Sequence, residues 1–262
     1  MNPADLDPAD DPALVALADE LLSRLAGGGA EPTAGPLMVG IVGPVAVGKS
    51  TFAAALARQL VDRADTTVPL AVEVVATDAF LLSNDRLAPL GGAMRKGYPE
   101  SYDWDALDVF LAEAAAGASV LSTPVYSHET FDIVVGERHE FGRPDVLVVE
   151  GLNLLQSAPG GGSPADRLAH SVYLHAPMPL IEQWFVERFI GLARPEVGAP
   201  SDFYAMFAAM DDDELDAVAR WTWNEINAPN VRDHIEPTRH RADEVLHKGE
   251  DHLVVSVERC AG

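Results

Sequence analysis

The stretch LMVGIVGPVAVGKST, residues 37–51, decides the expected fold. Its first six residues form an apolar run, which is typical of a strand buried in a parallel sheet. The next eight, Gly43–Ser50, match the phosphate-loop pattern G-x-x-x-x-G-K-[S/T]. The composition of residues 49–63 then predicts a helix. Strand, glycine-rich loop and helix therefore follow one another in the order that a phosphate-binding site requires.

The chemistry of this loop explains its residue types. Glycines let the main chain point several N–H groups at phosphate oxygens, and the helix adds its positive N-terminus. Lys49 supplies a charge near the β- and γ-phosphates, and Ser50 supplies a hydroxyl for Mg²⁺. The predicted nucleotide-binding residues of the loop are Gly43, Val45, Ala46, Val47, Gly48, Lys49, Ser50 and Thr51. A plain glycine turn is the alternative, but one of only three lysines stands at the required position.

Composition excludes several classes of protein. The 262 residues carry a net charge of −23, which disfavours binding to nucleic acid or to an anionic membrane. A single cysteine, Cys260, allows no disulfide within the chain and favours a reducing cytosol. The first residues show no signal-peptide pattern, and apolar runs have the length of strands. We expect a cytoplasmic protein that acts on a small molecule.

Alternating strands and helices predict an α/β fold of the P-loop NTPase type, in which a parallel sheet has helices on both faces. Residues 1–36 are expected to form an acidic lead, disordered over 1–10, and a helix that begins at Pro12 after an Asp11 cap. Residues 37–262 are expected to form the main domain. Its predicted strands are 37–42, 70–76, 122–126, 131–135, 146–149, 171–175, 244–247 and 253–257, and its predicted helices are 49–63, 104–116, 179–192 and 211–227.

Two acidic residues follow buried strands. Asp78 comes after the 70–76 strand, and Glu150 comes directly after the 146–149 strand. Ligands of open α/β sheets bind beyond the carboxyl ends of the strands, so both carboxylates should face the phosphate loop. One would help to hold Mg²⁺ and the other would accept a proton from an attacking hydroxyl. A helix cap or a loop carboxylate is the alternative for either residue.

Arg188 lies among apolar residues at helical spacing in the 179–192 segment. An unpaired guanidinium is costly on an apolar face, so this position needs an explanation. A structural ion pair, or a stem on apolar surface with its head in water, would suffice. We favour a cation directed at a transferring phosphoryl group.

Further stretches resemble the type I, prokaryotic pantothenate kinases, which are P-loop kinases related to phosphoribulokinase and uridine kinase. The resemblance covers roughly residues 37–257. Besides the phosphate loop it rests on RKGYPESYD at 95–103, PVYSH at 124–128, EGLNLLQ at 150–156, EIN at 225–227, PTR at 237–239 and KG at 248–249. The chain departs from the family pattern at Ala79, and at Phe131 and Phe185, where the family has tyrosine.

The resemblance implies an ATP- and Mg²⁺-dependent kinase for the terminal hydroxyl of pantothenate. It implies that Asp78 is the base, that Lys49 and Arg188 stabilise the transferring phosphoryl group, and that Ser50 and Glu150 serve the metal. It also implies a homodimer that coenzyme A inhibits by competing with ATP. The remaining implied residues are Tyr126, His128, Phe131, Phe185 and Asn227 for the acceptor, and His252 beside adenine.

Two alternatives stay open at this point. The tyrosine-to-phenylalanine differences leave room for a kinase of the same scaffold that phosphorylates another small hydroxylated acceptor, such as a nucleoside. A nucleotide-dependent switch is the second alternative, although no N-K-x-D motif for reading guanine is present.

Overall fold

A computed structural model describes residues 8–27, 35–64, 69–194, 202–207 and 209–260. Six strands form the central sheet in the order β2-β5-β1-β6-β7-β8, and β3 pairs with β4 alone. Neighbours in the central sheet are parallel, except for the antiparallel β7–β8 pair. The strands are β1 Leu37–Val42, β2 Val72–Ala76, β3 Val120–Ser127, β4 Asp132–Gly142, β5 Val146–Gly151, β6 His170–His175, β7 Glu244–Lys248 and β8 Val254–Arg259.

The helices alternate with these strands, so the α/β prediction is confirmed. None of those in the described ranges combines the length and the apolar character that crossing a bilayer requires. The helices are α1 Pro12–Ala26, α2 Lys49–Arg63, α3 Asn84–Leu87, α4 Trp104–Ala115, α5 Met178–Ala193, α6 Asp202–Ala205, α7 Asp212–Thr222 and α8 Ala228–Asn230. Short 3₁₀ turns lie on both sides of α3, between β2 and α4.

The core is built around the inner strands. Every residue of β5 is buried, because β1 and β2 pair with its two edges and apolar side chains cover it. Such a strand shows no alternation of polar and apolar residues, and this is why the run at 146–149 predicted a parallel sheet. Helices α1 and α2 contribute buried residues to the same core.

Helix α1 begins where the sequence predicts it. Asp11 caps it by accepting a hydrogen bond from Ala13 N at 2.9 Å, and Gly27 follows its last turn. The other Asp11 carboxylate oxygen accepts from Val254 N at 2.7 Å, which ties the start of α1 to β8. The expected disorder over residues 1–10 is wrong for 8–10, which form a turn with Ala9 buried; residues 1–7 lie outside the described residues.

Two other predictions need correction. The expected strands at 122–126 and 131–135 form one longer hairpin of β3 and β4, whose polar, exposed outer part hid its length in the sequence. The expected helix over 211–227 divides into α7 and a π-helical segment, Trp223–Asn227. Because π-helical turns are rare and are frequently found at functional sites, this segment is a candidate for a functional role.

We expect Asp11→Ala to destabilise the fold by about 2 kcal/mol. The variant loses the cap of α1, worth about 1 kcal/mol, and leaves the Val254 N–H without its partner, which costs about 1–3 kcal/mol. Asp19→Ala is the matched control on the same helix. It breaks an exposed ion pair with Arg63 and should cost less than about 1 kcal/mol. Urea unfolding measures both, and equal losses would contradict this role of Asp11.

Candidate active site

The phosphate loop joins β1 to α2 at the carboxyl edge of the sheet. Three of its residues have positive φ: Gly43 at 149°, Ala46 at 63° and Gly48 at 90°. A Cβ on Gly43 would lie 2.5 Å from Leu174 O, so a side chain does not fit there. This geometry explains both glycines of the motif and gives the loop the tight curve that the sequence predicts.

The Lys49 ammonium lies inside this curve. It donates to Pro44 O at 2.8 Å, across the loop from its own backbone. Burial lowers the pKa of Lys49, while the charges of Glu150 and Asp78 raise it and that of Arg188 lowers it again. The three other predicted charged residues are therefore close enough to act on Lys49.

Glu150 lies beside the loop because of strand register. Its position on β5 is level with Ile41 on β1 and with Ala76 on β2, two residues before Asp78. The side chain is 7% exposed and accepts a hydrogen bond from Ser50 Oγ at 2.7 Å. Burial raises the pKa of Glu150, while Lys49 and Ser50 lower it.

The Ser50 and Glu150 oxygens fit a magnesium ion that takes its other ligands from phosphates and water. Within the described ranges, no group of three or more His, Cys, Asp or Glu residues could hold a metal by itself. A site of one hydroxyl and one carboxylate matches a metal that arrives with its nucleotide.

Asp78 opens onto a cavity of about 180 Å³. Tyr126 and His128 line the same cavity, and their rings meet edge to face with centroids 5.1 Å apart. Burial raises the pKa of the Tyr126 phenol, and the Asp78 charge adds to this effect. The structure thus brings the predicted base together with two of the predicted acceptor residues.

Phe131 packs against His128 and Tyr204, with ring centroids at 6.5 and 5.5 Å. Its φ is 52°, which is rare for a bulky residue, and its carbonyl accepts from the Lys96 ammonium. Lys96 also lies 5.4 Å from the centre of the Tyr126 ring. Lys96 therefore holds the turn that carries the acceptor residues.

Arg188 corrects one expectation from the sequence. It is exposed, and the buried positions of α5 around it are Trp184, Val186 and Phe189. The guanidinium thus lies at the edge of the apolar face rather than in its middle. Burial lowers the pKa of Lys49 and raises that of the Tyr204 phenol, and the Arg188 charge acts on both groups, so Arg188 lies within reach of the phosphate loop and of Tyr204.

Two further predicted acceptor residues, like Phe131, are not part of the cavity lining. Phe185 packs against Phe189 and Trp223, with centroids at 6.1 and 5.7 Å. Asn227 ends the π-helical segment, and its amide donates to Thr222 O at 3.4 Å. Their contact with an acceptor remains a prediction.

His252, which is predicted to lie beside adenine, is close to Trp184 and Lys248. The His252 and Trp184 rings stack at 4.0 Å. Lys248 is 8% exposed and donates to Val47 O at 3.1 Å. This hydrogen bond joins the end of β7 to the phosphate loop. The sequence did not predict this role of Lys248, although the presence of only three lysines in the chain was a signal that could have drawn attention to it.

Comparisons with known proteins agree with this geometry. Residues 38–158 match the phosphoribulokinase / uridine kinase family. A pantothenate kinase from Sorangium cellulosum is 43% identical over 224 residues, which are 85% of this chain and 72% of the relative. A pantothenate kinase from Leifsonia xyli subsp. xyli is 44% identical over 231 residues, 87% of this chain and 71% of the relative.

A solved structure supports the fold alone. The D-glycerate 3-kinase from Cryptococcus neoformans superposes with a TM-score of 0.63 at 15% identity, over 95% of this chain and 99% of that one. The sequence identity to the curated relatives, together with the phosphate loop and its two carboxylates, decides the family. This chain belongs to the pantothenate kinase family, within the P-loop kinases.

Proposed function

We propose that this protein transfers the γ-phosphoryl group of ATP to the terminal hydroxyl of pantothenate. The observation that carries the proposal is that Asp78 both acts on Lys49, together with Glu150 and Arg188, and lines a cavity of about 180 Å³. The identity to pantothenate kinases supports the choice of acceptor.

The loop residues would hold the triphosphate by main-chain N–H groups at the start of α2. A magnesium ion on Ser50 and Glu150 would neutralise charge on the phosphates and fix their geometry. Lys49 has a buried ammonium whose contact with Pro44 O is weaker than a contact with phosphate oxygens, so it is ready to exchange partners.

Asp78 would accept the proton of the attacking hydroxyl, because it lines the cavity and lies beside the loop. Arg188 and Lys49 would stabilise the charge that spreads over the transferred group. Tyr126 and His128 would hold the acceptor from the β3–β4 hairpin, with Phe131 packed against His128. Phe185 and Asn227 complete the proposed acceptor side.

Another hydroxylated acceptor is the second candidate. Phe131 and Phe185 offer no hydroxyl, which lowers the number of polar contacts available to pantothenate. The resemblance to the family also supports a cytoplasmic location, a homodimer and inhibition by coenzyme A, and we extend the proposal to these three properties. His252, stacked on Trp184, would contact adenine.

Purified protein should release ADP in the presence of pantothenate and Mg²⁺, and should give a product that carries one phosphoryl group. The cavity beside Asp78 and the family relationship are the reasons for this expectation. A coupled ADP assay over pantothenate and a panel of nucleosides measures it, and mass spectrometry identifies the product. Absence of turnover at millimolar pantothenate, with turnover of a nucleoside, would favour the second candidate.

Asp78→Asn should lower turnover by at least about a hundredfold, since the amide cannot accept the hydroxyl proton. Affinity for ATP should stay unchanged, because the phosphate loop keeps all its contacts. Asp85→Asn, an exposed neighbour on α3, is the matched control and should behave like the unmodified protein. Steady-state kinetics and calorimetry separate these effects, and an active Asp78→Asn variant would refute the role of base.

Affinity for ATP should fall as the pH rises above about 8. Burial lowers the pKa of Lys248 to about 8, against the opposing charges of Asp11 and Asp251, and His252 also faces the amine. Below that pH the ammonium charge beside Gly48 is present in the free protein. Above it ATP must recruit a proton to regain that charge, at a loss of at most about tenfold in affinity per pH unit.

Lys248→Arg tests this explanation, because arginine stays charged throughout the range. Its affinity for ATP should vary less with pH between 7 and 10 than that of the unmodified protein. Lys248→Met should bind ATP more weakly at pH 7. Calorimetric titrations in matched ionic strength measure all three proteins, and an arginine variant with an unchanged pH slope would contradict the assignment.

A further inference from the structure

The buried phenol of Tyr102 lies near the two carboxylates of the site, Asp78 and Glu150. Tyr102 is 4% exposed, and its hydroxyl has no hydrogen-bond partner of standard geometry among the described residues. The same holds for Thr77 Oγ1 and Asn153 Oδ1. Buried polar atoms without partners are costly, so three of them together need a reason.

These three polar groups are neighbours. Burial raises the pKa of the Tyr102 phenol, and the charges of Asp78 and Glu150 raise it further. Thr77 and Asn153 act in the opposite direction through their side chains. The phenol therefore keeps its proton at any physiological pH, so it can donate to Asn153 Oδ1 while its oxygen accepts from the Thr77 hydroxyl.

The backbone around Tyr102 is fixed independently of its hydroxyl. Tyr102 forms an antiparallel β-bridge with Leu81, and Leu81 follows Asp78 by three residues. Leu82 N donates to Ser101 O, and Asp103 N donates to Phe80 O, both at 2.8 Å. Removing the hydroxyl alone should consequently leave the ring in place.

The two side chains beside the phenol, Thr77 and Asn153, are close in sequence to the two carboxylates, Asp78 and Glu150. Thr77 directly precedes Asp78, and Asn153 follows Glu150 by three residues. The two strand ends are also in close contact, since a Cβ on Gly151 would collide with the Thr77 side chain. The Asn153 amide nitrogen already donates to Gly97 O at 2.9 Å, which leaves its oxygen to accept from the phenol.

We propose that Tyr102 is a positioning residue that sets the separation of Asp78 and Glu150 by bridging Thr77 and Asn153. This inference rests on the proposed function, because it needs Asp78 as the base and Glu150 at the metal. The hydroxyl touches neither nucleotide nor acceptor in this arrangement, and it acts only through the two turns that carry the carboxylates.

Tyr102→Phe tests the bridge, and Tyr98→Phe is the matched control. Tyr98 belongs to the same segment and donates to Ile226 O at 2.9 Å, so its variant loses one phenol hydrogen bond elsewhere. We expect Tyr102→Phe to lower kcat about tenfold and to raise several-fold the Mg²⁺ concentration needed for half-maximal ATP binding. KM values should change little. Tyr98→Phe should keep the kcat and the Mg²⁺ requirement of the unmodified protein.

Three outcomes would overturn the inference: a Tyr102→Phe variant that matches Tyr98→Phe in kcat and Mg²⁺ requirement, a loss of kcat explained by a smaller folded fraction in thermal unfolding, or a changed KM for ATP alone. The Mg²⁺ dependence of ATP binding is measured by calorimetry without an acceptor. It therefore decides the role of Tyr102 even if pantothenate proves not to be the substrate, which separates the failure of this inference from that of the proposed acceptor.

Discussion

The site depends on a buried ammonium group that two carboxylates face and a backbone carbonyl holds. Desolvation favours the neutral form of Lys49, and the charges of Glu150 and Asp78 oppose that effect. Its bond to Pro44 O keeps the amine within the loop instead of on a carboxylate. A triphosphate supplies the negative charge that this arrangement lacks, so binding should relieve a cost that the fold already carries.

The sheet supplies the spacing that makes this possible. Parallel strands end at one edge, and the register of β2, β5 and β1 places Ala76, Glu150 and Ile41 at one level. A one-residue shift between β1 and β5 would turn Glu150 away from Ser50. Such a shift is costly because every residue of β5 is buried and its residues Val146–Val149 belong to the apolar core.

Short sequence patterns predicted the structural features that depend only on residues close together in the chain. The Asp11 cap, the start of α2 at Lys49 and the strand at β1 follow from short-range rules and are confirmed. The lengths of β3 and β4 could not be predicted in full. Their polar residues indicate exposure to solvent, which does not reveal that the two strands pair. The setting of Arg188 could not be deduced either, because the space it faces is built by segments far away in the chain.

The nucleotide side and the acceptor side differ in construction, and this difference bears on specificity. The phosphate loop is fixed by positive φ values, by Lys248 and by the core strand β1. Three of the predicted acceptor residues, Tyr126, His128 and Phe131, lie instead on a two-stranded hairpin outside the central sheet, and Lys96 donates a hydrogen bond to Phe131 O in its turn. Changes in the hairpin can alter the cavity without disturbing the core or the phosphates. Substitutions such as those at Phe131 should therefore change which hydroxyl is phosphorylated more readily than whether phosphoryl transfer occurs.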